Sequence, residues 1–468
     1  MADNNLKSNR LNLFIQKKFY IKDDFKPKDI VEVINSFKLT KSAYDTLYNY
    51  YIGKHDILHR TFEDTNKPNN RTVHNFPKLI VSTATAYFAG IPISYHSEKT
   101  QLLDKILQVH KYNYTYDVDY NLATLASIYG HAFEMHWISK GRHKYKAVAP
   151  SQVIMCYSMD LEETPKVAIT YIVTEDEVTK KTVYNITAYT DKHILKFKAN
   201  EQGEVLGEPS TSPHYFNRVP VIEYLNNEER QGDFESVISL IDSYNLAVAE
   251  SLNEIEYWND SYLLLRNLTA TDSEDIAEMK ENRVLLVDGD GDANWLTKNV
   301  NDKHFENIKD RLTMDIHKMS QVPNLSDEAF ANNLSGIAIK NKMFNLETKT
   351  MEKERKFTSS LQERNELIAY KLNLVSSIDD IVDVNAVFTR NLPANLIELA
   401  DVASKVRGLF SDETLRTQFP FCIENEEETR RLEKEAEKNN LLKYDMNSIF
   451  EVKEIEEETN NGELDDKK

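Results

Sequence analysis

From Gln231 to Arg266 the chain runs QGDFESVISLIDSYNLAVAESLNEIEYWNDSYLLLR, with no proline and, after Gly232, no glycine. Phe234, Val237, Ile238, Ile241, Tyr244, Val248, Leu252, Ile255, Asn259 and Tyr262 recur at steps of three and four, the period of one helix face. A helix over this stretch would be roughly 50 Å long, well beyond the usual ~11 to 12 residues. Its charge is one-sided: Asp233, Glu235, Asp242, Glu250, Glu254, Glu256 and Asp260 occur with no Lys or Arg before Arg266. Long solvated helices draw support from i,i+4 ion pairs, and this one has none. Packing against neighbours must hold it.

Composition narrows the class. With 468 residues, 41% hydrophobic and 10% aromatic, the chain can bury a large core, and length alone suggests roughly three domains. Only 12 Gly and 12 Pro occur, which favours long uninterrupted elements. No window approaches ~18 apolar residues and no apolar run follows the polar start, so neither a membrane span nor a signal peptide is expected, and the protein should be soluble and cytoplasmically made. Cys156 and Cys422 stand far apart, without metal-ligand spacing, and read as ordinary buried thiols. The net charge of −19 argues against static wrapping of nucleic acid, which needs clustered Lys and Arg. An acidic surface facing DNA would keep it from sticking, which suits a conduit better than a clamp.

Along the chain, residues 27–37 and 40–52 read as two short helices, with Thr40 as N-cap of the second and Gly53 as its C′ residue. Pro77 opens a helix that Gly90 and Pro92 stop, and another runs from Asp117 to Tyr129, ended by Gly130. From His131 the period becomes two: HAFEMHWIS, a turn at 140–142, HKYKAVAP, VIMCYS, KVAITYIV, KTVYNITAYT and KHILKFKA predict a mainly antiparallel sheet region reaching about Glu223. His110, His131, His136 and His193 show no metal-ligand spacing. Asp288, Asp290 and Asp292 suggest an EF-hand loop, but Ala293 stands where it needs Gly and Asn299 where it needs Glu. A hairpin turning at 288–292, between VLLV and NWLTK, accounts for the same residues. Residues 302–319 predict a second helix returning antiparallel to the first. A polar loop around Pro323 follows, then a very long helix from Ile337 to about Val375 whose densely charged centre, 347–364, reads as a solvated face. Residues 379–395 predict one more strand that returns to the sheet region, and short helices and an acidic, disordered tail from about Glu451 end the chain.

Three stretches, KPNNRTVHNFPKLIVSTATAYFAGIPISY, GDFESVISLIDSYNLAVAESLNEIEYWNDSYLLL and VPNLSDEAFANNLSGIAIKNKMFNLE, resemble the SPP1-type portal proteins of tailed bacteriophages in order and spacing over about residues 45 to 375. The resemblance implies an α+β, mainly helical portal fold with a β-rich wing, two long stem helices, a small α/β clip and a helical crown. Carried onto this sequence, the wing is 1–230 with 375–395 returning to it, and the stem is 231–266 and 301–320. The clip is 267–300, the tunnel loop 321–336, the long connecting helix 337–374, the crown 396–450 and the acidic tail 451–468.

The same resemblance implies a homo-oligomeric ring, usually of twelve subunits, in the virion at one capsid vertex, assembled in the host cytoplasm. Viral double-stranded DNA would pass through it in packaging and ejection. Its partners would be the terminase large subunit, the head-completion or adaptor protein, and the major capsid and scaffolding proteins, with no membrane and no cofactor. Val237, Ile238, Ile241, Val248, Leu252 and Ile255 would then be buried between subunits. Twelve copies at −19 each carry −228, so DNA should slide without deep wells. The tunnel loop would offer Asn324, Ser326, Asp327, Glu328, Asn332, Asn333 and Ser335, with Lys340 and Lys342 for phosphate contact. On the clip, Asp288, Asp290, Asp292 and Trp295 would form a polar rim and an aromatic anchor for partners.

Two other readings stand beside this one. A metal-dependent nuclease could hold Mg²⁺ on Asp288, Asp290 and Asp292, yet no partner base is identifiable. No nucleotide-binding or nucleophile-elbow motif occurs either, so no enzymatic activity is expected. A non-channel scaffold or adaptor would use the same helices without closing a ring.

Overall fold

The computed structural model describes residues 17–62, 68–175, 180–259, 262–266, 292–296, 302–325, 336–375, 382–391, 396–409, 411–416 and 428–436. These form two compact units, 1–332 with 341–391, and 333–340 with 392–468. The fold is α+β.

In the first unit, strand β1 (Phe19–Tyr20) precedes helix α1 (Pro27–Tyr51), which is one helix and not the expected two. Its buried residues, from Ile30 through Phe37, Thr40, Tyr44 and Leu47 to Tyr50, keep helical spacing across the supposed break. Thr40 is therefore interior and no cap. Pro27 at N1 and the Asp29 carboxylate accepting from the Lys26 N–H start the helix, and Gly53, at φ +86°, follows it. Helix α2 (Phe76–Ala89) begins where the Asn75 side chain accepts from the Lys78 N–H. Strand β2 (Ser94–His96), helix α3 (Thr100–Asn113) and helix α4 (Thr115–Tyr129) follow. At Gly130, φ is +89° and an added Cβ would lie 1.9 Å from the Arg230 carbonyl oxygen, so only glycine lets the two segments meet.

The strand region makes two sheets, not one. Strands β3 (His131–Ser139), β4 (Arg142–Val148) and β10 (Val221–Leu225) form an antiparallel sheet in the order β10-β3-β4. Strands β5 (Ile154–Tyr157), β6 (Pro165–Glu175), β7 (Thr182–Tyr189), β8 (His193–Asn200) and β9 (Val205–Pro213) join β1 in the order β1-β5-β6-β7-β8-β9, with only β1–β5 parallel. Apolar side chains between the sheets, among them Phe133, Val153, Met155 and Val221, form a compact core.

Helix α5 (Ile238–Asn259) follows a 3₁₀ turn at Glu235–Val237 and stops well short of the expected span. At 1.5 Å per residue it is about 33 Å long. Tyr262 is not on it. Strand β11 (Tyr262–Arg266) pairs antiparallel with β12 (Asp292–Leu296), so NWL faces YLLLR, while VLLV and residues 288–291 of the expected turn lie outside the described residues. Tyr262 favours a strand and the three leucines fit either state, so strand pairing decides the outcome. Helix α6 (Asp302–Ser320) packs back along α5, and α7 (Gly336–Lys371) is the longest element.

Far from being a mere connector, α7 supplies Phe357, Leu361, Leu367 and Ile368 to a large core shared with Phe88 of α2, Ile106 of α3, Leu122 of α4 and Tyr224 of β10. Burying Phe357 alone contributes about 2 to 3 kcal/mol. The late strand, β13 (Asn385–Val387), pairs with β2 and joins neither large sheet. In the second unit, helices α8 (Leu396–Val406) and α9 (Asp412–Arg416) and a helical run at 428–436 are described.

Candidate functional site

The acids that give α5 its one-sided charge find partners far along the chain. Asp233 pairs with Lys349 at 3.1 Å, Glu235 with Lys17 at 2.9 Å, and Glu250 with Arg60. Asp242 accepts from the Tyr50 hydroxyl at 2.8 Å, and Glu256 from the Asn70 amide at 2.9 Å. Two asparagines on the inner face fasten the preceding loop. Asn245 accepts from the His74 N–H and donates to His55, while Asn253 accepts from both the backbone and side-chain N–H groups of Asn70. A buried amide with both ends satisfied fixes register. Helix α5 is thus held along one face by its own chain.

This corrects part of the subunit-packing set. Val237 and Ile241 are 0% exposed and Ile238 is 5% exposed in the single chain, so they have no surface to give a neighbour. Val248 is half-buried. Leu252, at 38%, and Ile255, at 53%, remain open. The structure adds exposed apolar side chains absent from the sequence-derived set: Leu246 on α5, Met314 and Met319 on α6, and Phe344 on α7.

Of the loop candidates, Asn324 is half-buried, Lys340 is exposed and Lys342 is half-buried. Ser326, Asp327, Glu328, Asn332, Asn333 and Ser335 lie outside the described residues, as do Asp288 and Asp290. Asp292 is not in a turn: it opens β12 opposite Arg266, and Trp295 stands opposite Leu263.

The charged centre of α7 overturns the reading of a solvated face. Lys349, Lys353, Lys356, Ser360 and Arg364 form one stripe at helical spacing, directed at the body of the unit. The Lys349 ammonium donates to the backbone carbonyls of Asp233 and Ser320, at 3.2 and 3.0 Å, besides its pairing with the Asp233 carboxylate. One side chain therefore joins α7, the segment leading into α5 and the end of α6. Lys353 is buried, donates to the Ala123 carbonyl and the Ser127 hydroxyl, and lies over the rings of Phe88 and Phe357. Burial pulls its ammonium down to about 8 despite the nearby Asp233. Lys356 pairs with Glu228, and the Ser360 hydroxyl donates to the Glu223 carbonyl. On another side, Glu347 accepts from Arg390 through both nitrogens of its fork and from the Tyr87 hydroxyl.

Arg364 has no exposed surface. Its Nε donates to Glu134 at 3.0 Å, one terminal nitrogen completes a fork with the same carboxylate, and the other lies 2.7 Å from Asp119. The His136 Nε2 stands 2.8 Å from Glu134, and its Nδ1 is 2.9 Å from His143. Burial pushes the Glu134 carboxyl up, but Arg364 and His136 more than offset this and hold it at about 2. At Asp119 burial wins over Arg364 and the carboxyl rises to about 6. Glu134 has the fork and the histidine, whereas Asp119 has a single contact. Among the described residues no group of three or more His, Cys, Asp or Glu side chains is arranged to hold a metal ion.

The family model of phage portal proteins, SPP1 Gp6-like, matches residues 31–441. The chain belongs to this portal family. It is a bacteriophage portal protein, a structural component of the phage particle. The portal protein of Clostridium phage phiCD119 is 26% identical over 435 residues, covering 86% of this chain and 95% of that relative. The portal protein of Bacillus phage SPP1 is 23% identical over 433 residues, covering 88% and 84%. Among solved structures, the neck of an empty gene transfer agent particle aligns with TM-score 0.44 and 11% identity over 73% of this chain and 88% of that chain. The virion of the native gene transfer agent aligns with TM-score 0.42 and 12% identity, over 73% and 87%.

In this portal subunit the residues that sequence reasoning missed are the inward cations of α7. Their signal was present as the 349, 353, 356, 360, 364 periodicity. Without the acids of α4, β3 and the α5 lead-in, all more than 100 residues away, a charged stripe looks the same whether it meets water or carboxylates.

Proposed function

We propose that the chain is one subunit of a ring, of twelve copies, enclosing a channel through which double-stranded DNA enters and leaves the capsid. In this reading α5 and α6 are the stem, and the β11–β12 ribbon belongs to a clip that docks the terminase motor and, later, the head-completion protein. The segment between α6 and α7 narrows the bore, and the unit of residues 1–230 forms a wing toward the capsid. The protein contributes shape and electrostatics and leaves nucleotide hydrolysis to the motor.

One observation supports the ring above all. The inner face of α5 is satisfied within the chain, yet its other sides and those of α6 still present Leu246, Leu252, Ile255, Met314 and Met319 to solvent. In a helix pair whose sequence belongs to the portal family, these apolar side chains are accounted for by a neighbouring copy. In a cyclic ring each subunit meets two neighbours through different surfaces, so two faces are needed. Electron microscopy of the purified protein tests this. Rings with a central hole are expected, and particles that stay monomeric or stack into filaments at high concentration would overturn it.

A further inference from the structure

Between the two sheets of the first unit lies a trough of about 970 Å³. Four of its lining residues are lysines, Lys41, Lys146, Lys196 and Lys198, against one acid, Glu208, in a chain whose net charge is −19. Lys41 lies over the ring of Tyr171, and no carboxylate of the described residues pairs with Lys146, Lys196 or Lys198. On α7, Lys349, Lys356 and Arg364 are each paired with a carboxylate, whereas Lys146, Lys196 and Lys198 are not, so this trough presents a net positive face.

Its geometry is that of a strand face. Lys196 and Lys198 are alternate residues of β8, so both project on the same side, about 7 Å apart. Strand register carries each lysine into a cross-strand row: Lys198 faces Asn185, which faces Ile172, and Lys196 faces Thr187, which faces Thr170. Ile172 is 69% exposed, an apolar residue at the end of a polar row. Carboxylates at alternate positions of an extended peptide have the same spacing of about 7 Å.

We propose that this trough docks an extended, acidic polypeptide segment of a partner protein, running along β8 with alternating Asp or Glu over Lys196 and Lys198. The proposal rests on this surface alone and is independent of the channel reading. Duplex DNA fits less well. Four lysines neutralise few phosphates, and a duplex carrying one charge per ~1.7 Å would meet the repulsion of the whole acidic chain. A short peptide feels mainly charges within a Debye length of about 8 to 10 Å.

The test uses the full-length protein and a fluorescent ten-residue peptide alternating Glu with Thr and Val. Its Gln-for-Glu counterpart and a 20-base-pair duplex serve as competitors. Binding is expected to weaken steadily with salt, and Lys196→Glu with Lys198→Glu should reduce it at least about tenfold. Lys105→Glu with Lys111→Glu, on α3, should change it less than about twofold. If the charge-reversed protein does not fold by circular dichroism, Lys196→Gln with Lys198→Gln carries the same expectation at about threefold. Absence of binding, equal loss in the α3 control, undiminished binding by the lysine variants, or preferential displacement by duplex would each overturn the proposal.

Discussion

Replacing Arg364 by Met removes the cation of the buried cluster while keeping a long side chain against Tyr145 and Tyr224, whose rings lie 5.2 and 5.5 Å from the guanidinium. The magnitude follows from Glu134. A buried carboxyl held at about 2 instead of its ordinary 4.5 contributes roughly 3 kcal/mol at pH 7, by about 1.36 kcal/mol per unit. Losing it falls in the range of about 3 to 5 kcal/mol expected when one partner of a buried pair is removed. The sign with pH is fixed. A depressed carboxyl stabilises above its unfolded value and loses that contribution as pH falls through its folded one. In the variant the orphaned Glu134 takes up a proton at higher pH, so the deficit narrows on acidification. Native-state hydrogen exchange reports this on the assembled protein: amides at 360–368 should exchange on the order of 100-fold faster at pH 7 than in the parent. Asp119→Asn and Glu134→Gln, added to Arg364→Met, should recover most of the loss, since a neutral core leaves no unpaired charge. Protection changed by less than about fivefold, or a gap that widens toward pH 5, would refute this account of how α7 is held.

Val237→Asp places a carboxylate where the chain has no exposed surface and should prevent folding of the subunit itself, costing more than about 4 kcal/mol. Ile255→Asp should leave the monomer within about 1 kcal/mol of the parent and abolish assembly; circular dichroism with size-exclusion chromatography separates the two outcomes. Burial, aided by Arg364, pulls the His110 imidazole down to about 3, and burial beside His136 pulls His143 to about 2. Both stay neutral in the fold, so their contribution is complete above the unfolded value near 6.5 and is lost as pH falls below it. Two such groups cost roughly 4 kcal/mol by pH 5, and His110→Phe should remove about half of that slope in chemical unfolding. Burial lowers Lys353 to about 8, so its charge opposes folding at pH 7 and that cost fades as pH rises from 8 toward 10.5. Lys353→Met should leave stability unchanged or raise it by up to about 2 kcal/mol, and a loss above about 1 kcal/mol would show that its bonds to Ala123 and Ser127 outweigh desolvation.

Sequence carried the succession of strands β3 to β8, because period-two alternation and short turns are local, but not their division into two sheets. It carried α6 nearly to the residue, and the end of α4 and the bounds of α2, where Gly130, Pro77 and Gly90 act on their own neighbours, though not the Asn75 cap of α2. It could not carry what depends on distant partners. Tyr262–Arg266 kept a helical period by coincidence, and its pairing with Asp292–Leu296 across 25 intervening residues set it as a strand. Strand β9 was missed because VLGEPSTSP has no alternation: all nine residues are exposed on both faces, so no core imprinted a pattern. The amphipathic helix α3 was also overlooked. The candidate packing set divided for a similar reason. Val237 and Ile255 share one apolar periodicity, but the first lies in the 3₁₀ turn that packs against α6 and is fully buried, while the second is 53% exposed.

The Lys349 ammonium has three protons and spends them on two helix ends from a third. A tripod of this kind cannot give way one leg at a time. Tilting α7 strains the outlet of α6 and the inlet of α5 together, so intermediate positions leave a buried Asp233 without its counter-ion. Movement at this hub should consequently be stepwise, with Lys349 tying the end of α6 to the root of α5 in addition to the packing of the two helices. Acetylating or shortening that lysine would uncouple the legs while each helix stays intact.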